Sequence, residues 1–132
     1  MANNAGAYVG AVSIGVSDLA RSGDFYERVL GMKVLQTLKL PHMDEIVLGY
    51  EGRGSAIVLM HWTDGSARNY ADLPVKVVLY VPDPQAAADA IRAEGLEIVR
   101  EPTPYGSPDG PVVGFAKDPD GYLVELLQRA GQ

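Results

Sequence analysis

The 132 residues suffice for one domain or for two small, tightly joined modules. Hydrophobic residues make up 47% of the chain, as in ordinary globular proteins, and no apolar run is long enough to cross a bilayer. Seventeen acidic residues against eleven basic ones give a net charge of −6, which would repel a phosphate backbone or an anionic membrane surface. Nucleic acids and membranes are therefore not expected as partners.

The cysteine count and the first residues indicate a compartment. The absence of cysteine excludes disulfides, thiolate metal ligands and cysteine nucleophiles. The segment from Met1 to Gly6 carries no basic stretch ahead of an apolar one, so no secretory signal is expected. Together these features predict a cytoplasmic protein.

The first half of the chain has the pattern of one strand, one helix and three further strands. Apolar and small side chains alternate from Tyr8 to Val16, which predicts a strand with one packed face. Asp18 is the predicted N-cap of the helix and Gly31 its predicted C-cap. Three strand-like runs follow, at about 33–40, 45–50 and 56–62.

A polar segment, residues 63–73, is the predicted linker to a second pattern of the same kind. Alternation from Val75 to Val81 predicts a strand, and a helix is expected from Asp83-Pro84 to Gly95. A loop rich in proline and glycine is expected at 101–110. Short strands at about 97–100, 112–116 and 122–128 complete the second half.

The two halves match each other at an offset of about 65 residues, with Val16–Asp18 falling on Val81–Asp83. A single βαβββ unit cannot bury both faces of its sheet, so duplication and pairing of units is physically expected. The predicted fold is α+β, with two βαβββ modules at 8–62 and 74–129. Helices are expected on the outer face, and curved mixed sheets around a cavity.

Two segments carry a resemblance to a known family. Asp18–Met32 has the sequence DLARSGDFYERVLGM, and Phe115–Leu126 has the sequence FAKDPDGYLVEL. They resemble the first helix and the closing hairpin of glyoxalase I and of the wider glyoxalase/bleomycin-resistance/extradiol-dioxygenase (vicinal oxygen chelate) superfamily. The resemblance extends from about Ala11 to Gln128 and implies the two-module fold. The motif residues themselves mostly form helix packing and a tight turn.

The resemblance also implies where a metal would bind. Members of the family usually hold a divalent metal with one residue from each of four strands, and the matching positions here are Ala11, Leu59, Lys76 and Glu125. Only Glu125 is a competent ligand, because alanine and leucine have no donor atom and an ammonium repels a cation. We therefore expect neither a glyoxalase-type metal site nor another cofactor. A divalent metal recruited by His61 and Glu125 is the less favoured alternative.

Lys76 can replace the metal as the counter-ion of Glu125. Strand alternation places both residues on the predicted cavity face, and we expect their head groups within about 4–6 Å of each other. The pair either stabilises the pocket or acts on a ligand. In the second case Lys76 orients an anionic or carbonyl oxygen and Glu125 is a general base.

Other polar and aromatic residues are candidates because they fall on cavity strands or neighbouring loops. The further candidates for catalysis are His61 and Tyr80, and those for ligand binding are Ser13, Leu59, Trp62, Tyr105 and Arg68.

Three functions remain open. The resemblance implies a protein that sequesters a small organic ligand, as metal-free relatives conferring bleomycin-type resistance do. A metal-independent enzyme of lyase or isomerase type, acting on a small carbonyl or phenolic compound, is equally compatible with the residues. The alternative is a metal-dependent glyoxalase I-type lyase or dioxygenase with a non-standard site. Relatives of this length usually pair their modules across chains, which implies a homodimer.

Overall fold

Two four-stranded mixed sheets form the framework of the computed structural model, which describes residues 4–128. The first sheet contains β1 (Ala11–Gly15), β2 (Lys33–Lys39), β3 (Met43–Tyr50) and β4 (Arg53–Trp62), in the order β1-β4-β3-β2. The second contains β5 (Lys76–Tyr80), β6 (Ile98–Pro104), β7 (Val112–Lys117) and β8 (Leu123–Leu127), in the order β5-β8-β7-β6. The repeated topology confirms the α+β fold of two βαβββ units. The predicted end of the second module, residue 129, lies outside the described residues.

A helical segment follows the first strand of each sheet. The segments are α1 (Leu19–Asp24), which continues into a π-helical turn (Phe25–Val29), and α2 (Pro84–Ala93). The predicted N-cap Asp18 and the predicted helix start at Asp83-Pro84 are both confirmed. The carboxylate of Asp18 accepts a hydrogen bond from the backbone N–H of Arg21 at 3.0 Å, and that of Asp83 accepts one from Ala86 at 3.1 Å. Neither helix in residues 4–128 is long and apolar enough to span a bilayer.

The π-helical turn is a departure from the continuous α-helix that the sequence predicts. It contains Phe25 and Tyr26, whose rings are buried and meet edge to face with centroids 4.9 Å apart. A π-turn accommodates an extra residue per turn. The chain then leaves the helix through Gly31, whose φ of +75° is the left-handed conformation expected of a C-terminal glycine.

Strand β6 is longer than predicted, and it includes residues that we assigned to the loop at 101–110. It tolerates Pro102 and Pro104 because it is an edge strand, where a residue without an N–H group need not interrupt a ladder. The register with β7 shifts between Arg100 and Thr103, which accommodates the irregular segment.

Each helical segment covers one face of its own sheet. α1 packs on β3 and β4, and α2 packs on β6, β7 and β8. The buried side chains beneath them include Ile14, Leu48, Leu59, Val77, Val124 and Leu126. The opposite face, here called the open face, carries Ala11, Ser13, Gly15, Val58, Met60 and Trp62 in the first sheet and Lys76, Val78, Tyr80, Leu123 and Glu125 in the second. Within the described residues the two sheets form no closed barrel.

The turn between β7 and β8 ties the second unit to the first. The Tyr26 hydroxyl donates to the carboxylate of Asp118 at 2.8 Å. In the same turn, Asp120 accepts from the guanidinium of Arg21 at 3.1 Å and from the backbone N–H of Ser17 at 3.2 Å. The D-P-D-G turn therefore contacts the beginning and the middle of the first helical segment.

Candidate functional site

Lys76 and Glu125 meet on the open face of the second sheet. Strands β5 and β8 are parallel neighbours with Val78 opposite Glu125, so Lys76 lies one step along the same face. The Lys76 ammonium donates to Oε1 of Glu125 at 2.9 Å. The side chain of Glu125 is 15% exposed and that of Lys76 is 48% exposed. The expected ion pair is present, and it is accessible from the open face.

The surroundings of the pair allow it to bind an oxygen atom of a ligand. Val78 and Phe115 lie on either side of Glu125 in the sheet, so apolar side chains flank the carboxylate. An apolar environment strengthens electrostatic interactions. The ammonium has three protons, of which one is directed to Glu125, and half of the side chain is exposed. Lys76 can therefore donate to a ligand while it holds the carboxylate.

Two predicted site residues on β4, Leu59 and His61, lie on the face of the first sheet that is opposite the open face. Ser13 pairs with Val58 and Ile14 pairs with Leu59, so Val58 is on the open face and Leu59 is in the core, with no exposed surface. The prediction that Leu59 lines the cavity is wrong by one residue.

His61 shares the face of Leu59, as expected, but that face is turned away from the open side. Its Nδ1 lies 2.9 Å from the carbonyl oxygen of Val16, and its ring stacks on Tyr70. The hypothesis of a metal held by His61 and Glu125 therefore has no geometric support.

The four family metal positions do not form a donor set. With the strand faces corrected, they are Ala11 and Val58 on the first sheet and Lys76 and Glu125 on the second. Two of these side chains have no donor atom, and the third is a cation bonded to the only carboxylate. Elsewhere in residues 4–128, no group of three or more His, Cys, Asp or Glu side chains could hold a metal ion. The residues present do not fit the divalent metal that the family implies.

The remaining predicted site residues divide between the two sheets. Ser13 and Trp62 lie on the open face of the first sheet, and the guanidinium of Arg68 lies 4.4 Å from the centroid of the Trp62 ring. Tyr80 lies on the open face of the second sheet with Lys76. Tyr105 is exposed beside the end of edge strand β6, two strands away from β8. The structure thus groups Tyr80 with the ion pair and leaves Tyr105 apart.

Tyr70 is a residue of this region that the sequence analysis missed. It lies in the polar segment after β4, and its ring packs against both His61 and Trp62. The signal that could have revealed it is an aromatic side chain within an otherwise polar linker.

A cavity of about 580 Å³ lies between the two units, beside the edge strands β1 and β5. Its walls are mostly apolar and come from both sheets; they include Val12, Ile14, Met32, Leu48, Ile57 and Val77. Lys76 and Tyr80 also border this space. The cavity is large enough for a small organic molecule and adjoins one member of the ion pair.

The fold, the duplicated units and the two motifs together define the class of this protein. The chain belongs to the Glyoxalase/Bleomycin resistance protein/Dioxygenase superfamily, whose sequence profile matches residues 8–126. It is 33% identical over 117 residues to the lactoylglutathione lyase of Haemophilus influenzae, a match that covers 86% of each chain.

Solved structures show the same relationship. Glyoxalase I from Zea mays superposes with a TM-score of 0.78 at 29% identity, and the match covers 94% of this chain and 45% of the maize chain. The present chain thus spans about half the length of the maize protein. TnmS3, an antibiotic binding protein from a Streptomyces species, superposes with a TM-score of 0.74 at 21% identity over 94% of this chain and 97% of its own, which is a likeness of fold alone.

Proposed function

We propose that this protein binds a small organic ligand at the Lys76–Glu125 pair without a divalent metal. The observation that carries the proposal is the 2.9 Å hydrogen bond from the Lys76 ammonium to Glu125, at two of the four positions where the family implies metal ligands. The ammonium supplies a positive charge that can hold a carbonyl, phenolic or carboxylate oxygen. The adjoining apolar surface accommodates the body of the ligand.

The same pair supports proton transfer as a second activity. A ligand oxygen held by Lys76 would make a neighbouring C–H or O–H group more acidic, and Glu125 lies close enough to accept the proton. A metal-independent lyase or isomerase would use the two residues in these roles, whereas a sequestering protein would use only the binding step.

Metal content tests the proposal, and a matched variant makes the test decisive. We expect the purified protein to contain far less than one Ni, Zn, Fe or Mn ion per chain, and Zn²⁺ or a chelator to leave its melting temperature unchanged. The variant A11H/V58E/K76H restores side-chain donors at the other three family positions, so it should bind Zn²⁺ near one per chain and melt at a higher temperature with the ion. Near-stoichiometric metal in the wild-type protein would contradict the proposal.

The name of the Haemophilus relative supports lactoylglutathione lyase activity as the alternative. The formation and cleavage of lactoylglutathione should be assayed with a chelator and with each added divalent metal. Because Ala11, Val58 and Lys76 supply no ligand, we expect no metal-dependent turnover. Activity that a chelator abolishes and one metal restores would establish the alternative.

We also propose that a second copy of the chain completes the site. Strands β1 and β5 are edges of their sheets within the described residues, and Val12 on β1 is 59% exposed. Exposed edge strands with apolar side chains are natural pairing surfaces. Both edges border the cavity beside Lys76, so a partner chain placed there would cover the ligand site.

A further inference from the structure

The polar segment after β4 folds back over the end of the first sheet. The backbone N–H of Trp62 donates to the Tyr70 hydroxyl at 3.2 Å, and the Tyr70 and His61 rings stack with centroids 5.6 Å apart. A Cβ atom added to Gly15 would lie 3.3 Å from the Tyr70 ring and 3.4 Å from the Trp62 ring. A side chain at this position would require both rings to shift, so the glycine at the end of β1 favours this close packing of the rings beside the open face.

The second unit fixes the same point of β1. The Tyr122 hydroxyl donates to the carbonyl oxygen of Gly15 at 2.6 Å. Gly15 is thus held by the hydrogen bond from Tyr122 and packs closely against the rings of Tyr70 and Trp62. The aromatic pair is a preformed surface rather than a loose loop.

Arg68 lies over this surface, and its terminal nitrogens pair with no carboxylate in the described part of the chain. Its guanidinium lies over the Trp62 ring, and its Nε donates to the Ser66 hydroxyl at 3.1 Å. Ser66 is itself fixed through its backbone N–H, which donates to Asp64 at 3.0 Å. Within residues 4–128 Arg68 forms no salt bridge, whereas Arg21, Arg28 and Arg92 each do.

This arrangement matches the requirements for an anion on a planar body. A guanidinium held over an indole, with Nε already occupied, presents its outer N–H groups as a fork for two oxygen atoms. Fixing the fork in advance reduces the entropy lost on binding. Val58 and Met60 continue the open face beside Trp62, so an aromatic ligand can lie on apolar side chains while its anionic group reaches Arg68.

We infer that Arg68, Trp62 and Tyr70 form a second binding surface, which selects planar aromatic ligands that carry a carboxylate or sulfonate group. The inference goes beyond the proposed function, because this surface lies on the first sheet and the Lys76–Glu125 pair lies on the second. Arg68 holds the anionic group of the ligand, and the aromatic rings hold its planar body.

A pair of matched dyes tests the inference on the full chain. Anilinonaphthalene sulfonate has the aromatic body and a sulfonate, and phenylnaphthylamine has the same rings without the charge. Trp62 is the only tryptophan of the sequence, so quenching of its fluorescence reports binding at this surface. We expect R68M to lower the affinity for the anionic dye by roughly ten- to a hundredfold, because a charge-assisted hydrogen bond is lost. Its affinity for the neutral dye should stay within about twofold of the wild-type value.

Two further variants complete the experiment. R100M is the control. It removes the guanidinium of Arg100, which forms no salt bridge among the described residues and lies on edge strand β6 of the second sheet. It should change the affinity of neither dye. Equal loss of both dyes in R68M, or no loss of either, would overturn the inference. If K76M weakens binding of the anionic dye and R68M does not, the inference fails and the proposed function stands. If R68M weakens it and K76M does not, the inference stands, because the sulfonate is the only oxygen-bearing group of the dye and Arg68 holds it.

Discussion

Asp118 is the buried carboxylate at which the two units meet. It is 1% exposed and accepts hydrogen bonds from the Tyr26 hydroxyl and from the backbone N–H groups of Asp120 and Tyr122. Burial raises the pKa of Asp118 above its ordinary value, although the hydrogen bonds from its three donors oppose the shift. A carboxyl group whose pKa is raised by folding contributes most to stability below pH 3.8, and this contribution is lost as the pH rises through the raised pKa.

Removing the Tyr26 hydroxyl should therefore have a cost that depends on pH. The Y26F variant deprives the ionised carboxylate of Asp118 of a donor, which should lower the free energy of unfolding by about 1–3 kcal/mol at pH 7. The bond to Tyr26 lowers the pKa of Asp118, so its loss raises that pKa further. The cost should then be smaller at about pH 3.5, where the protonated form of Asp118 is the larger fraction in both proteins.

Urea denaturation of the wild-type protein and Y26F at the two pH values measures the effect. The contributions of all other titrating groups to the free energy of unfolding cancel in the difference between the two proteins. Y105F, which removes the hydroxyl of an exposed tyrosine, is the control and should cost nothing. An equal cost of Y26F at both pH values would contradict the role given to Asp118.

The ion pair shows what sequence can predict about single residues. Lys76 alternates with buried Val77 on β5, and Glu125 lies between buried Val124 and Leu126 on β8, so the pattern fixed the face of each residue. The two strands are neighbours because the meander of β6, β7 and β8 returns to β5, the first strand of the same unit. The distance between the head groups follows from these two facts.

Strand β4 shows where the same method fails. Its segment Ile57–Met60 is apolar at every position, so no polar residue marks the side that faces away from the core. Only the register with β1, which pairs Val58 with Ser13, decides that Val58 is on the open face. The π-helical turn and the prolines of β6 escaped prediction for a related reason, since contacts with neighbouring elements decide both.

Charge substitution on β4 tests the assignment of its faces. L59E places a carboxylate in the core beneath α1 and should destabilise the protein by at least about 3 kcal/mol. V58E should cost much less, because the neighbouring strand already carries Glu45 opposite Met60 on the open face. Thermal unfolding of the two variants decides the matter, and a larger loss in V58E than in L59E would reverse the assignment.

At the scale of the whole molecule, the repeat predicted the duplicated architecture because the turn and cap residues recur at matching positions. It could not predict how the two open faces are covered, since this depends on surfaces that no local pattern encodes. In the described residues, 4–128, no other part of the chain pairs with the free edges of β1 and β5.

We expect light scattering to give twice the 14.1 kDa mass of one chain at micromolar concentration. V12E places a charge on edge strand β1 beside the cavity and should shift the protein toward the monomer. V34E, on the opposite edge strand of the same sheet, is the matched control and should leave the dimer intact. A wild-type protein of 14.1 kDa would contradict the completed site.

The contacts of Asp118 and Asp120 also affect the order in which parts of the chain can fold. They join residues 92 to 103 positions apart, and the turn that supplies both carboxylates lies near the end of the second unit. During synthesis, the first unit emerges while the hydroxyl of Tyr26 and the N-terminal end of α1 still lack these partners. Contacts of such long sequence separation form slowly, so the nascent first half passes through a stage in which the groove for the D-P-D-G turn is empty.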